Sequence, residues 1–215
     1  MNRAGIIKIC GLTNEGDVAA AARLRVDLAG FLFAPSPRRL DPARAAELIA
    51  ALPEGGPEPV GVFVNESPER VAEIVAQCGL AWIQLHGEEP PGFAHGIPAR
   101  VIRAARVGPG RDWNDIVADP ADLVLLDSYV PGEAGGTGKT FAWDAIDPRM
   151  ADRGFLLAGG LGPDNVAEAI RIARPAGVDV SSGVERAPGR KDHTKMEQFV
   201  RRARRAWEEC TDAAK

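Results

Sequence analysis

Short aliphatic and β-branched runs recur along the chain about every 20 to 30 residues. The eight runs cover residues 6–9, 28–33, 60–64, 82–85, 101–104, 123–126, 155–158 and 178–180. The segments between them carry apolar side chains at helical spacing, most clearly at 17–24, 42–52, 68–78, 165–173 and 192–207. This alternation of strands and helices is typical of parallel β/α proteins.

The number of strand–helix units helps to decide between an open doubly wound sheet and a closed barrel. Asp41-Pro42 and Ser67-Pro68 each place a capping oxygen before a proline, which marks two helix starts. The segments 90–95 and 112–117 are short and weakly patterned, so counting alone leaves an open doubly wound sheet as an alternative. Eight units favour a closed (β/α)8 TIM barrel of the α/β class, in which the loops after the strands carry the chemistry.

Polar residues and glycines follow the predicted strands at those ends. They are Cys10, Ser36, Arg38, Asn65, Gln84, His86, Arg103, Asp127, Gly159, Gly160, Asp179, Ser181 and Ser182. Side chains alternate between the two faces of a strand, so Lys8 shares a face with Cys10 that should point into the barrel. A buried lysine is costly unless it is paired. Since strands one and eight are neighbours in a closed barrel, we predict that Lys8 contacts Asp179.

Cys10 and Asp127 are the candidate proton-transfer groups. Cys10 ends an apolar strand two residues after a lysine, which would favour the thiolate that abstracts protons. The alternative for Cys10 is a small buried hydrophobic residue. Asp127 ends the aliphatic run VLLD, and its alternative is a turn aspartate that caps the next loop. His86 ends IQLHG and is compatible with a structural role; without a second ligand at metal spacing, we predict no metal site.

Two glycine-rich stretches expose backbone amides that could bind an anion. Residues 135–140 read GGTGKT but lack the GxxxxGK[ST] frame of a Walker A loop, since nearby glycines stand only at 132, 135, 136 and 138. Gly159-Gly160 follows strand seven and Ser181-Ser182-Gly183 follows strand eight, where such barrels commonly hold a phosphate. A small phosphorylated substrate is therefore predicted rather than ATP.

Composition narrows the class of protein. The 215 residues are 45% hydrophobic and 26% charged without a dividing linker, which predicts one domain over 1–215. A net charge of −4 without an extended basic surface argues against a nucleic-acid partner, and the arginines at 201, 202, 204 and 205 fit the exposed face of a last helix. Three separated cysteines and a short N-terminal apolar run predict a cytoplasmic protein without disulfides, signal peptide or membrane span.

Eight blocks of the sequence resemble, in order and spacing, those of the phosphoribosylanthranilate isomerase family. The blocks are KICGLT, GFLFAPSPR, GVFVN, IQLHGEEP, LLDS, GGTGKTFAW, LAGGLGPDNV and DVSSGVE, spanning about residues 6–200. The resemblance implies the Amadori rearrangement of N-(5-phosphoribosyl)anthranilate to 1-(2-carboxyphenylamino)-1-deoxyribulose 5-phosphate in tryptophan biosynthesis. It implies neither a metal nor an organic cofactor.

The resemblance also implies roles for particular residues. By matching position, Asp127 would be the general acid that opens the ribose ring, and Cys10 the general base that removes the C2 proton. Arg38 would bind the anthranilate carboxylate, which suits a planar guanidinium fork. The other substrate-binding residues would be His86 and Asp179, with Gly159, Gly160, Ser181, Ser182 and Gly183 at the phosphate.

Two other functions remain open at this point. Another phosphate-binding barrel enzyme, such as indole-glycerol-phosphate synthase or a pentose-phosphate epimerase, would place more lysine and glutamate, or metal-binding histidines, at the strand ends. A catalytically silent metabolite-binding barrel would need neither Cys10 nor Asp127. Ala158 and Ser128 depart from residues frequent in the family, and neither is a proposed catalytic residue. The sequence leaves both a monomer and a homodimer open.

Overall fold

The computed structural model describes residues 5–108, 112–128 and 142–212, which contain a closed barrel of eight parallel strands. Neighbouring strands follow chain order, and the last strand pairs with the first to close the barrel. The strands are β1 (Ile6–Cys10), β2 (Leu28–Leu32), β3 (Glu58–Phe63), β4 (Trp82–Leu85), β5 (Arg100–Val107), β6 (Leu123–Ser128), β7 (Phe155–Leu157) and β8 (Gly177–Val180). The predicted α/β TIM barrel is confirmed, and the open-sheet alternative is wrong.

Helices cover the outside of the barrel. In the described residues they are α1 (Glu15–Arg23), α2 (Pro42–Ala50), α3 (Pro68–Cys78), α4 (Trp113–Val117), α5 (Met150–Arg153), α6 (Val166–Ala173) and α7 (His193–Asp212). The two predicted caps are present, because Asp41 accepts from the amide of Arg44 and Ser67 from the amide of Arg70. Each cap stands before a proline at the first helical position, where the missing N–H costs nothing.

Alternation along the strands divides the apolar side chains into two layers. The layer inside the barrel contains Leu28, Val60, Trp82, Ile102, Leu125, Leu156 and Ala158. The opposite strand faces pack against the helices, with Ile7, Phe31, Phe63, Ile83 and Phe155 among the buried residues. Ile6 packs against the inner layer, so Lys8 and Cys10 continue the inner face of β1 as predicted.

The fifth strand is longer than the predicted run 101–104 and changes the assignment of two arginines. Because Ile102 lies in the inner layer, Arg106 faces inward and Arg103 faces outward. The Arg103 Nη1 donates to the carbonyl oxygen of Glu89 at 3.1 Å, and its Nε lies 3.5 Å from Asp119 Oδ2. The prediction that Arg103 belongs to the mouth is therefore wrong. Residues 91–96 form turns rather than a helix.

The arginines of α7 fall into two groups. Arg201 and Arg205 are exposed, as expected for a solvated helix face. Arg204 instead donates to the carbonyl oxygens of Leu24 and Arg25, which directly follow α1, and Arg202 donates to the carbonyl oxygen of Pro163. Two of the four arginines therefore attach α7 to other segments of the protein, and the other two face solvent. No helix within the described ranges is long and apolar enough to cross a membrane.

Lys8 and Asp179 form a buried ion pair where β1 meets β8. The two residues are partners in the strand register, and Lys8 Nζ lies 2.9 Å from Asp179 Oδ1. This contact confirms the prediction. Burial acts to lower the pKa of Lys8, but Asp179 and Cys10 raise it by more, so the net pKa lies above its usual value. Lys8 is therefore charged at neutral pH.

Replacing Lys8 by methionine should lower the free energy of unfolding by about 3–5 kcal/mol, because Asp179 would keep a buried charge without its partner. Urea denaturation at neutral pH measures this loss. The Lys8 pKa is raised in the folded state, so the contribution of its charge is present at neutral pH and is lost only as the pH rises through the raised value. Arg70→Met, which breaks an exposed pair with Glu73, should cost far less, and equal losses in both variants would contradict this role.

Candidate active site

The carboxyl ends of the strands form one mouth at which the predicted site residues meet. Cys10 ends β1, His86 follows β4, and Asp127 lies near the end of β6. The glycine loop follows β7 and the serine loop follows β8, and these two strands lie between β6 and β1 in the closed barrel. The predicted phosphate loops therefore stand between Asp127 and Cys10 around the mouth.

Cys10 lies buried on the inner face, with 6% of its surface exposed. Gly30 on β2 leaves it room, because a Cβ there would lie 2.8 Å from Cys10 Sγ. Burial raises the pKa of the Cys10 thiol, Lys8 and Lys191 lower it, and Asp179 raises it again, with a net upward direction. Lys8 thus favours the thiolate as expected, but desolvation of the charged form has the larger effect.

Two polar side chains, Gln84 and His86, connect the barrel interior to Asp127. The Nε2 of buried Gln84 lies 3.0 Å from His86 Nδ1, and His86 Nε2 lies 3.3 Å from Asp127 Oδ2. The ring of His86 thus lies between the Gln84 amide group and the Asp127 carboxylate. His86 therefore contacts the predicted acid directly, which a purely structural role would not require.

Arg38 is held by a hairpin that follows β8, formed by β9 (Glu185–Ala187) and β10 (Arg190–Lys191). Its Nε and Nη2 each donate to a carboxylate oxygen of Glu185 at 2.7 Å. The side chain crosses Gly11, where a Cβ would lie 2.6 Å from Arg38 Cδ. Within the described residues, Nη1 is the guanidinium nitrogen that donates to no protein acceptor. The predicted contact of Arg38 with a substrate carboxylate stays a prediction.

Glu185 and Lys191 are site residues that the sequence did not predict. Both are buried, and Lys191 Nζ donates to Glu185 Oε1 at 2.9 Å and to the carbonyl oxygen of Cys10 at 2.6 Å. Their stretch, ERAPGRKD, reads as an exposed polar loop because neither strand of the hairpin is long enough to show periodicity. The one indication of a role for Glu185 in the sequence is that it ends DVSSGVE, one of the eight blocks that resemble the family.

The two loops predicted to bind phosphate pack backbone against backbone. Gly159 and Gly160 have φ values of 81° and 65°, which favour glycine. A Cβ at Gly183 would collide with the carbonyl oxygen of Leu161, so this glycine permits the close approach. In the part of the chain that the structure describes, the amides of Gly159, Gly160, Ser182 and Gly183 donate to no acceptor. Such free, converging amides can bind an anion.

Arg106 is a third unpredicted residue at the mouth. It is exposed, faces inward, and is the register partner of Asp127. A side cavity of about 1030 Å³ lies between the loop after β4 and α4, and it meets the mouth at His86 and Arg106. Neither Cys10 nor Asp127 lines this cavity. The predicted proton-transfer residues therefore belong to the barrel mouth and not to the side cavity.

Two other sequence predictions concern metals and the GGTGKT stretch. Among the residues described by the structure, no group of three or more His, Cys, Asp or Glu side chains is arranged to hold a metal ion. The GGTGKT stretch at 135–140 lies outside the described residues. That its backbone amides could bind an anion therefore stays a prediction.

The chain is similar to one family over most of its length. Residues 7–202 match the family model described as N-(5'phosphoribosyl)anthranilate (PRA) isomerase. The N-(5'-phosphoribosyl)anthranilate isomerase of Trichlorobacter lovleyi is 46% identical over 203 residues, which cover 93% of this chain and 98% of the relative. The Magnetococcus marinus protein of the same name is 45% identical over 201 residues, covering 93% and 95% of the two chains.

Crystal structures agree with this similarity. Phosphoribosyl anthranilate isomerase from Thermotoga maritima superimposes with a TM-score of 0.85 at 40% identity, covering 93% of this chain and 98% of that chain. A second structure shows a phosphoribosyl anthranilate isomerase in complex with reduced 1-(o-carboxyphenylamino)-1-deoxyribulose 5-phosphate. It has a TM-score of 0.82 at 38% identity, with the same coverage.

Proposed function

The chain belongs to the N-(5'-phosphoribosyl)anthranilate isomerase family, and from this premise we propose how its residues carry out the reaction. It is an isomerase of tryptophan biosynthesis. Asp127 acts as the general acid and Cys10 as the general base. One observation carries this assignment: both residues face the same mouth, and the loops with free amides after β7 and β8 lie between them.

The proposed reaction begins with protonation of the furanose ring oxygen by Asp127. The C1–O bond breaks, the lone pair of the anthranilate nitrogen forms a C1=N bond, and the open chain becomes a protonated Schiff base. The Cys10 thiolate then removes the C2 proton, and the electrons of that bond form a C1=C2 enolamine. Return of the Cys10 proton to C1 and transfer of the enol proton to Asp127 give the ketone and restore both groups. Each positioned proton transfer contributes about a hundred- to ten-thousandfold.

The remaining site residues are proposed to bind and orient this substrate. The amides of Gly159, Gly160, Ser181, Ser182 and Gly183 bind the phosphate. Arg38 binds the anthranilate carboxylate through Nη1 while Glu185 holds its other two nitrogens. His86, whose Nε2 lies 3.3 Å from Asp127 Oδ2, orients the carboxyl group of Asp127. Asp179 has one oxygen on Lys8, which leaves Oδ2 for a substrate hydroxyl.

The expected partners follow from this chemistry. We propose a small phosphorylated substrate without nucleic acid, and a reducing cytoplasm that suits the free Cys10, Cys78 and Cys210. Whether the chain acts as a monomer or a homodimer stays a prediction. The similar Thermotoga maritima protein, 39% identical, is described as dimeric, and monomers of it have been generated.

Purified wild-type protein should remove the fluorescence of N-(5-phosphoribosyl)anthranilate without added metal or cofactor, because isomerisation destroys the fluorescent riboside. A fluorimeter time course measures this directly. The matched control is a Cys10→Ser, Asp127→Asn double variant at the same concentration, which should leave the signal unchanged. A silent metabolite-binding barrel would bind the substrate with no loss of fluorescence, and that result for the wild type would reject the proposed function.

A further inference from the structure

Lys191 places a buried ammonium group next to the backbone of Cys10. Its side chain is fully buried, and Nζ donates to the carbonyl oxygens of Cys10 at 2.6 Å and Ser181 at 3.1 Å and to Glu185 Oε1 at 2.9 Å. Three acceptors match the three hydrogens of an ammonium group. The contacts join the end of β1 to the loop after β8, the two segments that carry the proposed base and part of the proposed phosphate site.

The position of Lys191 is fixed from both sides. Its backbone amide donates to Asp17 Oδ2 at 3.0 Å, and Asp17 is a buried residue of α1. The other oxygen of Asp17 lies 2.8 Å from His193 Nε2 at the start of α7. The short hairpin is therefore anchored to two helices, and the Lys191 side chain reaches inward from a backbone that cannot easily move.

Among the residues that the structure describes, the charged groups around Cys10 do not cancel. They are Lys8 on β1, Asp179 on β8, Arg38 after β2, and Glu185 and Lys191 on the hairpin. Lys8 is matched by Asp179 in a one-to-one pair. Glu185, in contrast, is shared by Arg38 and Lys191, so this second cluster keeps one positive charge more than it has negative charges. In a buried, weakly screened site an unmatched cation favours a nearby anion.

We propose that Lys191 is a positioning residue for the cysteine base, which fixes the end of β1 through the Cys10 carbonyl and supplies the unmatched positive charge that favours the Cys10 thiolate. The inference rests on the proposed role of Cys10. It adds a second cation to Lys8, whose favourable effect on the thiolate is partly offset by the neighbouring Asp179. Burial raises the Cys10 pKa, so a cation that opposes this effect bears directly on the amount of base available.

The experiment measures the ionisation of Cys10 independently of turnover. In a Cys78→Ser, Cys210→Ser background, Cys10 is the remaining thiol, and its rate of alkylation by iodoacetamide is recorded as a function of pH. Lys191→Met should move the midpoint of this profile upward by about one pH unit. At pH values below the midpoint, such a shift makes the thiolate fraction about tenfold smaller. The acid side of the kcat/KM profile should move in the same direction.

Two matched variants make the result specific. Lys195→Met removes an exposed lysine of the same region, whose Nζ donates to the carbonyl oxygen of Glu185, and should leave the midpoint in place. Glu185→Gln removes the negative charge and should move the midpoint downward. An unchanged or lowered midpoint in Lys191→Met overturns the proposal, since a merely loosened structure would expose the thiol and lower its pKa. A shifted midpoint in a protein that does not isomerise the substrate would support Lys191 and reject the proposed function.

Discussion

Replacing Asp127 by asparagine should lower kcat by about a hundred- to ten-thousandfold and leave KM nearly unchanged. Asparagine has almost the same shape and can still face His86 Nε2, but it cannot deliver a proton to the ring oxygen. The loss therefore falls on ring opening and not on substrate binding. Steady-state kinetics by substrate fluorescence give both parameters from one set of time courses.

Asp164→Asn is the matched control for this variant. Asp164 is an almost fully exposed carboxylate that pairs with Arg202, and its change to asparagine should leave kcat unchanged. If Asp127→Asn raised KM alone, Asp127 would bind the substrate without acting as an acid. If it kept nearly full kcat, another group at the mouth would supply the proton, and His86 is the titratable side chain that contacts Asp127.

Replacing Cys10 by serine should lower kcat by a similar factor of about a hundred- to ten-thousandfold. The hydroxyl fills nearly the same space beside Gly30, but it does not ionise in the accessible pH range, so the enzyme loses its proposed base. Burial raises the pKa of Cys10, so the thiol of the free wild-type enzyme is still being ionised as the pH rises above neutral. Its kcat/KM should therefore rise with pH on the acid side, and this rise should disappear in the serine variant.

A substrate deuterated at C2 separates the two proposed roles. Removal of the base slows C–H cleavage, so Cys10→Ser should show a larger isotope effect on kcat than the wild type. Asp127→Asn slows the earlier ring opening and should show a smaller one. Cys210→Ser, which changes a partly exposed cysteine of α7, is the control and should behave as wild type. Equal isotope effects in the two active-site variants would contradict the order of steps.

The barrel could be predicted from the sequence because a strand buried on both sides leaves a run of apolar residues and a helix leaves a regular period. Strand β5 shows the limit of predicting strands from apolar runs. Arg103 and Arg106 interrupt its apolar run, so the predicted strand ended at 104 while the real one continues to Val107. The extension is stabilised by pairing with β6, a long-range contact that no local pattern reports.

Charged contacts of the site could be predicted where both residues lie on neighbouring barrel strands. Contacts made by residues outside the barrel strands could not. Lys8 and Asp179 could be paired because their strands had to be neighbours and both side chains had to point inward. No such rule applies to Lys191, whose burial comes from a two-residue strand folding back over β1 and α1. The bidentate contact between Arg38 and Glu185 likewise joins two loops that are far apart in sequence.

The closure of β8 onto β1 also sets when the proposed base can work. Lys8 meets Asp179 across 171 positions of sequence, and Lys191 meets Cys10 across 181. A ribosome releases the chain from its N-terminus, so Cys10 emerges long before the groups that surround it. Until β8 and the hairpin have followed, β1 has an unpaired edge and Lys8 lacks its carboxylate. The cysteine acquires its environment only after residue 191 has been synthesised, and we expect no isomerase activity from a shorter nascent chain.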